Sequence, residues 1–232
     1  MAILDFIPGT MCDERLWSKL LPHLDLDIAA NFISLSDVEN RETIRLKLEK
    51  NTGQASNLVA FSMGGYLALE HTLAHPDRVR SLVVIAASAK GLNEMEKGRR
   101  RRILEQLQEQ PYAGLSRAQI SRLVHSSNIT DPSIVDVIRD MDRTLGKETL
   151  IAQLAATMDR PDLVASLPEI RCPVLIVGAL DDELVEVAHL KEMRNAITGS
   201  ELRLLIGSGH MIPLESPQVL AREISAFLSG LD

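Results

Sequence analysis

Short apolar runs alternate along this chain with longer stretches in which apolar residues recur every three or four positions. Ile3-Leu4-Asp5-Phe6-Ile7 reads as a first strand, ended by the turn Pro8-Gly9-Thr10. Residues 11–24 predict a helix, with Leu16, Leu20 and Leu21 on one face. Residues 27–35 read as a second strand, and residues 41–50 as a helix carrying Ile44 and Leu48. Residues 57–61 form a third strand pattern, followed by a helix over 66–75. Residues 79–87 are almost continuously apolar, which predicts a strand buried on both faces. Residues 173–178 and 202–206 add two more strands, and residues 185–197 and 217–228 two more helices. The alternation predicts an α/β fold: a mostly parallel, doubly wound sheet of about six strands with helices on both faces. In such sheets active sites lie at the carboxyl ends of strands.

The alternation stops between residues 90 and 166, where helical patterns follow one another with no strand among them. Ser116 with Gln119 reads as a capping box ahead of Ile120, Leu123 and Val124. Asp131-Pro132 reads as an N-cap and first helical residue ahead of Ile134, Val135, Ile138 and Met141. Leu150, Ile151, Leu154 and Met158 form a further apolar face. Residues 90–166 are therefore expected to be a helical insertion in a core made of 1–89 and 167–232.

Composition narrows the function classes. The chain has 232 residues, 45% hydrophobic and 25% charged, as expected of one globular α/β unit with an insertion. A net charge of −7 argues against a nucleic-acid partner, because nothing offsets phosphate repulsion. Two cysteines, Cys12 and Cys172, make no disulfide framework and suit a reducing compartment. With no signal-peptide pattern and no apolar run long enough to span a bilayer, a cytoplasmic location is expected. The run Arg99-Arg100-Arg101-Arg102 could gate an anionic substrate. Glu96 before Arg100 and Glu105 after Arg101 favour a solvated, ion-paired helix face instead. His71 and His75 are four apart on a helix, but no acidic or cysteine partner accompanies them, so no metal site is expected. No G-x-G-x-x-G follows the first strand, so no dinucleotide cofactor is expected either.

The stretch that carries chemistry is Val59-Ala60-Phe61-Ser62-Met63-Gly64-Gly65. It pins a serine between a strand end and a helix start, with the small residues Ala60 and Gly64 two positions away on either side. A turn that sharp brings those flanking positions against neighbouring backbone, so only small residues fit. Far downstream, Gly207-Ser208-Gly209-His210 follows the last strand. Of the six histidines, only His210 lies in a Gly-rich loop at a strand's carboxyl end. His23, His71, His75, His125 and His189 read as surface or satisfied core residues.

These residues resemble the α/β-hydrolase superfamily, with A-x-S-x-G-G in place of the usual G-x-S-x-G. The resemblance implies a nucleophile, acid, histidine order, with Ser62 as nucleophile and His210 as base. It places the acid three residues past the glycine of Gly178-Ala179-Leu180-Asp181-Asp182, at Asp181, with Asp182 and Glu183 as immediate rivals. It further implies an oxyanion hole from the backbone N–H groups of Met63 and Thr10, where Pro8-Gly9-Thr10 replaces His-Gly-x. The helical insertion then corresponds to a lid. Met11, Trp17, Leu150 and Leu154 are candidates for the pocket, each also suited to the core. The implied function is hydrolysis of a small carboxylic ester or thioester through an acyl-enzyme. The same residues would serve a lyase or carbon–carbon bond hydrolase, or a receptor or scaffold built on a hydrolase fold.

Overall fold

The computed structural model describes residues 2–231. Its strands are β1 (Ala2–Ile7), β2 (Ile28–Phe32), β3 (Ser56–Phe61), β4 (Val79–Ile85), β5 (Val174–Ala179) and β6 (Glu201–Leu205). They form one six-stranded sheet, parallel throughout, in the order β2-β1-β3-β4-β5-β6. The α-helices are α1 (Arg41–Asn51), α2 (Met63–Ala74), α3 (Glu94–Glu109), α4 (Arg117–Leu123), α5 (Pro132–Ala156), α6 (Val187–Ala196), α7 (Ile212–Glu215) and α8 (Pro217–Ser229).

Side chains alternate across a strand, and here they sort into two cores. Phe6, Val59, Phe61, Val83, Ile85 and Val177 face Trp17, Leu220 and Ile224 of α8, and Ile134 and Ile138 of α5. Ile7, Leu58, Ala60, Leu82, Val84 and Ile176 face Ile44 and Leu48 of α1, Leu67 of α2, and Leu190 and Met193 of α6. Helices therefore cover both faces. Every residue of β3 and β5 is buried, and all of β4 but Arg80, whereas the edge strands β2 and β6 are part exposed. Burying one large apolar side chain contributes about 1.5–3 kcal/mol, so the central strands anchor the sheet.

The expected helix over residues 11–24 is replaced by two single 3₁₀ turns, Glu14–Trp17 and Leu21–His23. Asp13 caps the first by accepting the Arg15 N–H at 3.0 Å, and Pro22, with no N–H to donate, opens the second. Leu16, Trp17 and Leu20 are all buried, so the segment follows the core surface.

Between β4 and β5 lie α3, α4 and α5, with both caps where the sequence places them. The Ser116 side chain accepts the Gln119 N–H in a reciprocal capping box, and Asp131 caps α5 through the Ser133 N–H. The apolar faces around Ile138 and Leu154 belong to one helix broken at Gly146, whose φ of 75° and ψ of −178° are not helical.

Candidate active site

The turn at Ser62 is built by close backbone approaches. Ser62 itself has φ 53° and ψ −116°, a conformation that costs a non-glycine residue about 1–3 kcal/mol and persists only when its surroundings dictate it. Those surroundings are visible. The Ser62 N–H donates to Ile85 O at 2.9 Å, extending the β3–β4 ladder into the turn. A Cβ on Gly64 would sit 2.4 Å from Pro8 O, and one on Gly65 2.5 Å from the Ala87 Cβ. A Cβ on Gly9 would come within 3.1 Å of the Ser62 Cβ, so the turn after β1 packs directly on the serine.

His210 reaches this serine from the loop after β6. Its Nε2 lies 2.9 Å from Ser62 Oγ, and its ring packs 5.1 Å from the Phe61 ring centroid. Its Nδ1 lies 2.9 Å from Asp182 Oδ2, with side chains only 4% and 1% exposed. The other Asp182 oxygen accepts the N–H groups of Leu184 and Val185 at 2.8 and 3.1 Å, which fixes the carboxylate's orientation.

The carboxylate at the imidazole is thus Asp182, not the expected Asp181. The Leu180 N–H still donates to Leu205 O at 2.9 Å, so strand-like pairing runs one residue past β5 and the turn starts late. Asp181 stays exposed, 3.4 Å from the Gly207 N–H and 3.8 Å from His125 Nε2.

Thr10 and Met63 adjoin: the Thr10 hydroxyl donates to Met63 Sδ at 3.5 Å. Met63 is the first residue of α2, where the helix offers its N–H no acceptor and its dipole favours negative charge. Of the pocket candidates, Trp17 is core, 1% exposed with its ring 5.0 Å from Phe6. Met11 is buried in the turn after Thr10, while Leu154 is buried and Leu150 partly buried on α5. Cys12 is not suited to act as a nucleophile, because burial first and nearby Asp13 second push its thiol up to about 12.

Sequence reasoning assigned nothing to Glu215 or Gln153. Glu215 accepts the N–H of Gly209 (3.0 Å), the N–H of His125 (2.7 Å) and the Asn128 side-chain amide (3.0 Å). Leu123 O accepts the N–H groups of His210 and Met211 at 2.9 and 3.1 Å. The insertion is therefore bonded to the histidine loop. Gln153 interrupts the apolar run around Leu154 and is 1% exposed, a polar residue in a core pattern that could have drawn notice.

Nearly all of this architecture lies in residues 8–223, which match the profile of the alpha/beta hydrolase family. The chain belongs to that family. A thermophilic esterase from Thermogutta terrifontis superposes with a TM-score of 0.88 at 21% identity, covering 100% of this chain and 90% of that one. The biotin biosynthesis bifunctional protein BioHC of Cellvibrio japonicus is 23% identical over 99% of this hydrolase, which spans only 48% of that protein's length. A pimeloyl-[acyl-carrier protein] methyl ester esterase of Vibrio atlanticus is 23% identical, over 97% of this chain and 93% of its own. A 2-hydroxy-6-oxononadienedioate/2-hydroxy-6-oxononatrienedioate hydrolase of Escherichia coli is 26% identical, over 88% and 72% respectively.

The remaining candidates of this hydrolase lie apart from the serine. In the arginine run, Arg99, Arg101 and Arg102 are exposed, as a solvated face requires, and Arg101 lies 3.6 Å from Glu94. Arg100 turns inward to donate to the Thr157 hydroxyl at 2.7 Å, and burial lowers its pKa to about 10. A cavity of about 500 Å³ opens within the insertion, lined by Tyr112, Leu115, Arg139, Asp142, Arg143 and Lys147 among others, but by none of Ser62, His210 or the pocket candidates. Among the described residues no helix is long and apolar enough to cross a membrane.

Proposed function

We propose that this hydrolase cleaves a small carboxylic ester or thioester through an acyl-enzyme, with Ser62 as nucleophile, His210 as general base and Asp182 as the orienting acid. The observation that carries this reading is the pair of 2.9 Å hydrogen bonds through one imidazole, Ser62 Oγ to His210 Nε2 and His210 Nδ1 to Asp182 Oδ2. A serine hydroxyl is a weak nucleophile at neutral pH and needs an adjacent base. As Ser62 Oγ attacks the carbonyl carbon, His210 Nε2 takes its proton. Asp182 holds the Nδ1–H tautomer and stabilises the imidazolium. His210 then returns the proton to the departing alcohol or thiol, and water repeats the sequence to release the acid.

The oxyanion would lie between the N–H groups of Met63 and Thr10. Losing one such donor raises the barrier by about 3–4 kcal/mol. The acyl group would meet Leu150, Leu154 and Met11, which favours an apolar substrate. The esterases among the compared proteins support this substrate class. The test is steady-state turnover of p-nitrophenyl esters of rising acyl length by wild type and Ser62→Ala. Turnover that vanishes with the serine supports the reading, and equal turnover by both proteins overturns it.

A second reading, carbon–carbon bond hydrolysis on the same residues, is favoured by the similarity to the Escherichia coli hydrolase. Turnover of a 2-hydroxy-6-oxo-dienoate in the absence of ester turnover would select it.

A further inference from the structure

We infer that Gln153, on the last helix of the insertion, is a positioning residue that sets the geometry of the oxyanion turn. Its carboxamide bridges two loops far away in sequence. Oε1 accepts the Met11 N–H at 2.9 Å, and Nε2 donates to Leu35 O at 2.8 Å. Both bonds are buried, where an amide left without partners costs about 1–3 kcal/mol.

What Gln153 holds at Met11 is a strained turn. The Cys12 N–H donates back to Gly9 O at 3.2 Å, making Gly9-Thr10-Met11-Cys12 a β-turn. Met11, its third residue, has φ 55°, the left-handed region in which such turns normally place glycine. Without a fixed acceptor for the Met11 N–H, the Thr10–Met11 peptide would rotate and relieve that strain. The proposed oxyanion donor, the Thr10 N–H, lies on the adjoining Gly9–Thr10 peptide of the same turn, so it would be displaced as the turn relaxes around the rotated peptide. The inference rests on the serine-hydrolase reading of the site, and it gives the insertion a role beyond covering the cleft: one of its side chains shapes the catalytic machinery.

The experiment compares wild type, Gln153→Met and Thr149→Val. Thr149 also ties α5 to the Leu35 segment, through Ser36 O at 3.2 Å, but does not touch the turn. Two quantities are measured, with thermal unfolding as a fold check. One is the rate constant for labelling Ser62 by a fluorophosphonate, whose phosphoryl oxygen occupies the oxyanion position. The other is kcat and KM on p-nitrophenyl butyrate.

Gln153→Met is expected to slow labelling and kcat together by about 10- to 100-fold, short of the full loss of one donor, with KM within about threefold of wild type. Thr149→Val is expected to lower the unfolding temperature while labelling at the wild-type rate. Labelling of Gln153→Met at the wild-type rate overturns the inference, as does equal slowing by Thr149→Val. If Gln153→Met does not fold, Gln153→Asn, one methylene too short to reach Met11, must show the same slowing. Absence of Ser62 labelling in wild type would overturn the serine-hydrolase reading itself, and this inference with it.

Discussion

Among the described residues two imidazoles are buried, His210 at 3% exposure and His71 at 5%, and each lies against a hydroxyl. His210 meets Ser62 Oγ on one side and the Asp182 carboxylate on the other, each at 2.9 Å. His71, near the far end of α2, meets Thr52 Oγ1 at 3.3 Å and stacks beside His75 with ring centroids 4.9 Å apart. Its pKa is lowered to about 4, first by burial and then by His75 and Arg78, with Glu49 and Asp5 opposing. The protein thus keeps His71 neutral at physiological pH. Beside His210 stands a carboxylate that would stabilise the imidazolium during turnover. Burial and a hydroxyl partner are common to both rings; the hydrogen-bonded carboxylate at His210 is the difference on which its proposed role as base rests.

The largest effect is expected at the serine. Ser62→Ala should lower ester turnover by at least about 10⁴-fold, as in triads where the nucleophile is removed, while leaving circular dichroism and the unfolding temperature near wild type. Next comes the carboxylate. Asp182→Asn should cost about 10⁴-fold in kcat by favouring the wrong tautomer of His210, whereas Asp181→Asn should stay within about threefold. Equal losses in the two variants would contradict the geometry. A smaller effect is expected at Glu215. Glu215→Gln replaces one acceptor oxygen by an amide that faces N–H donors, so kcat should fall about 10-fold and the unfolding temperature by several degrees. Unchanged kcat there would show that the histidine loop needs no brace from the insertion.

The smallest effect belongs to His71. Its folded pKa lies below its ordinary value of 6.5, so between pH 6.5 and about 4 the unfolded chain binds the proton more readily. Stability should therefore fall as pH drops through that window. His71→Gln should flatten the acid limb of unfolding temperature against pH relative to wild type. Parallel curves would mean that His71 titrates normally.

These variants also mark how far the sequence could be read. Ser62 and His210 were legible because each is framed by its own neighbours: a strand end, a helix start, and glycines that allow close backbone approach. The six parallel strands and the helical stretch between the fourth and fifth followed from the same local periodicities, whereas their order in the sheet did not. The segment over residues 11–24 was misread because its leucine spacing suits a helix, while Asp13, Pro22 and the buried Trp17 dictate short turns.

By itself the sequence determined the strand and helix alternation of an α/β sheet, the sharp turn at Ser62, and the histidine at the last strand's carboxyl end, since each strand, helix or turn is specified within a few consecutive residues. Only the tertiary structure showed which of Asp181 and Asp182 meets the His210 ring, because that turns on whether Leu180 still pairs with the neighbouring strand. It alone gave partners to Gln153 and Glu215, since Met11 and His125 lie 142 and 90 residues away in the chain. Side-chain bonds across such separations leave no periodicity to read; they exist only once the insertion has folded back over the strand ends.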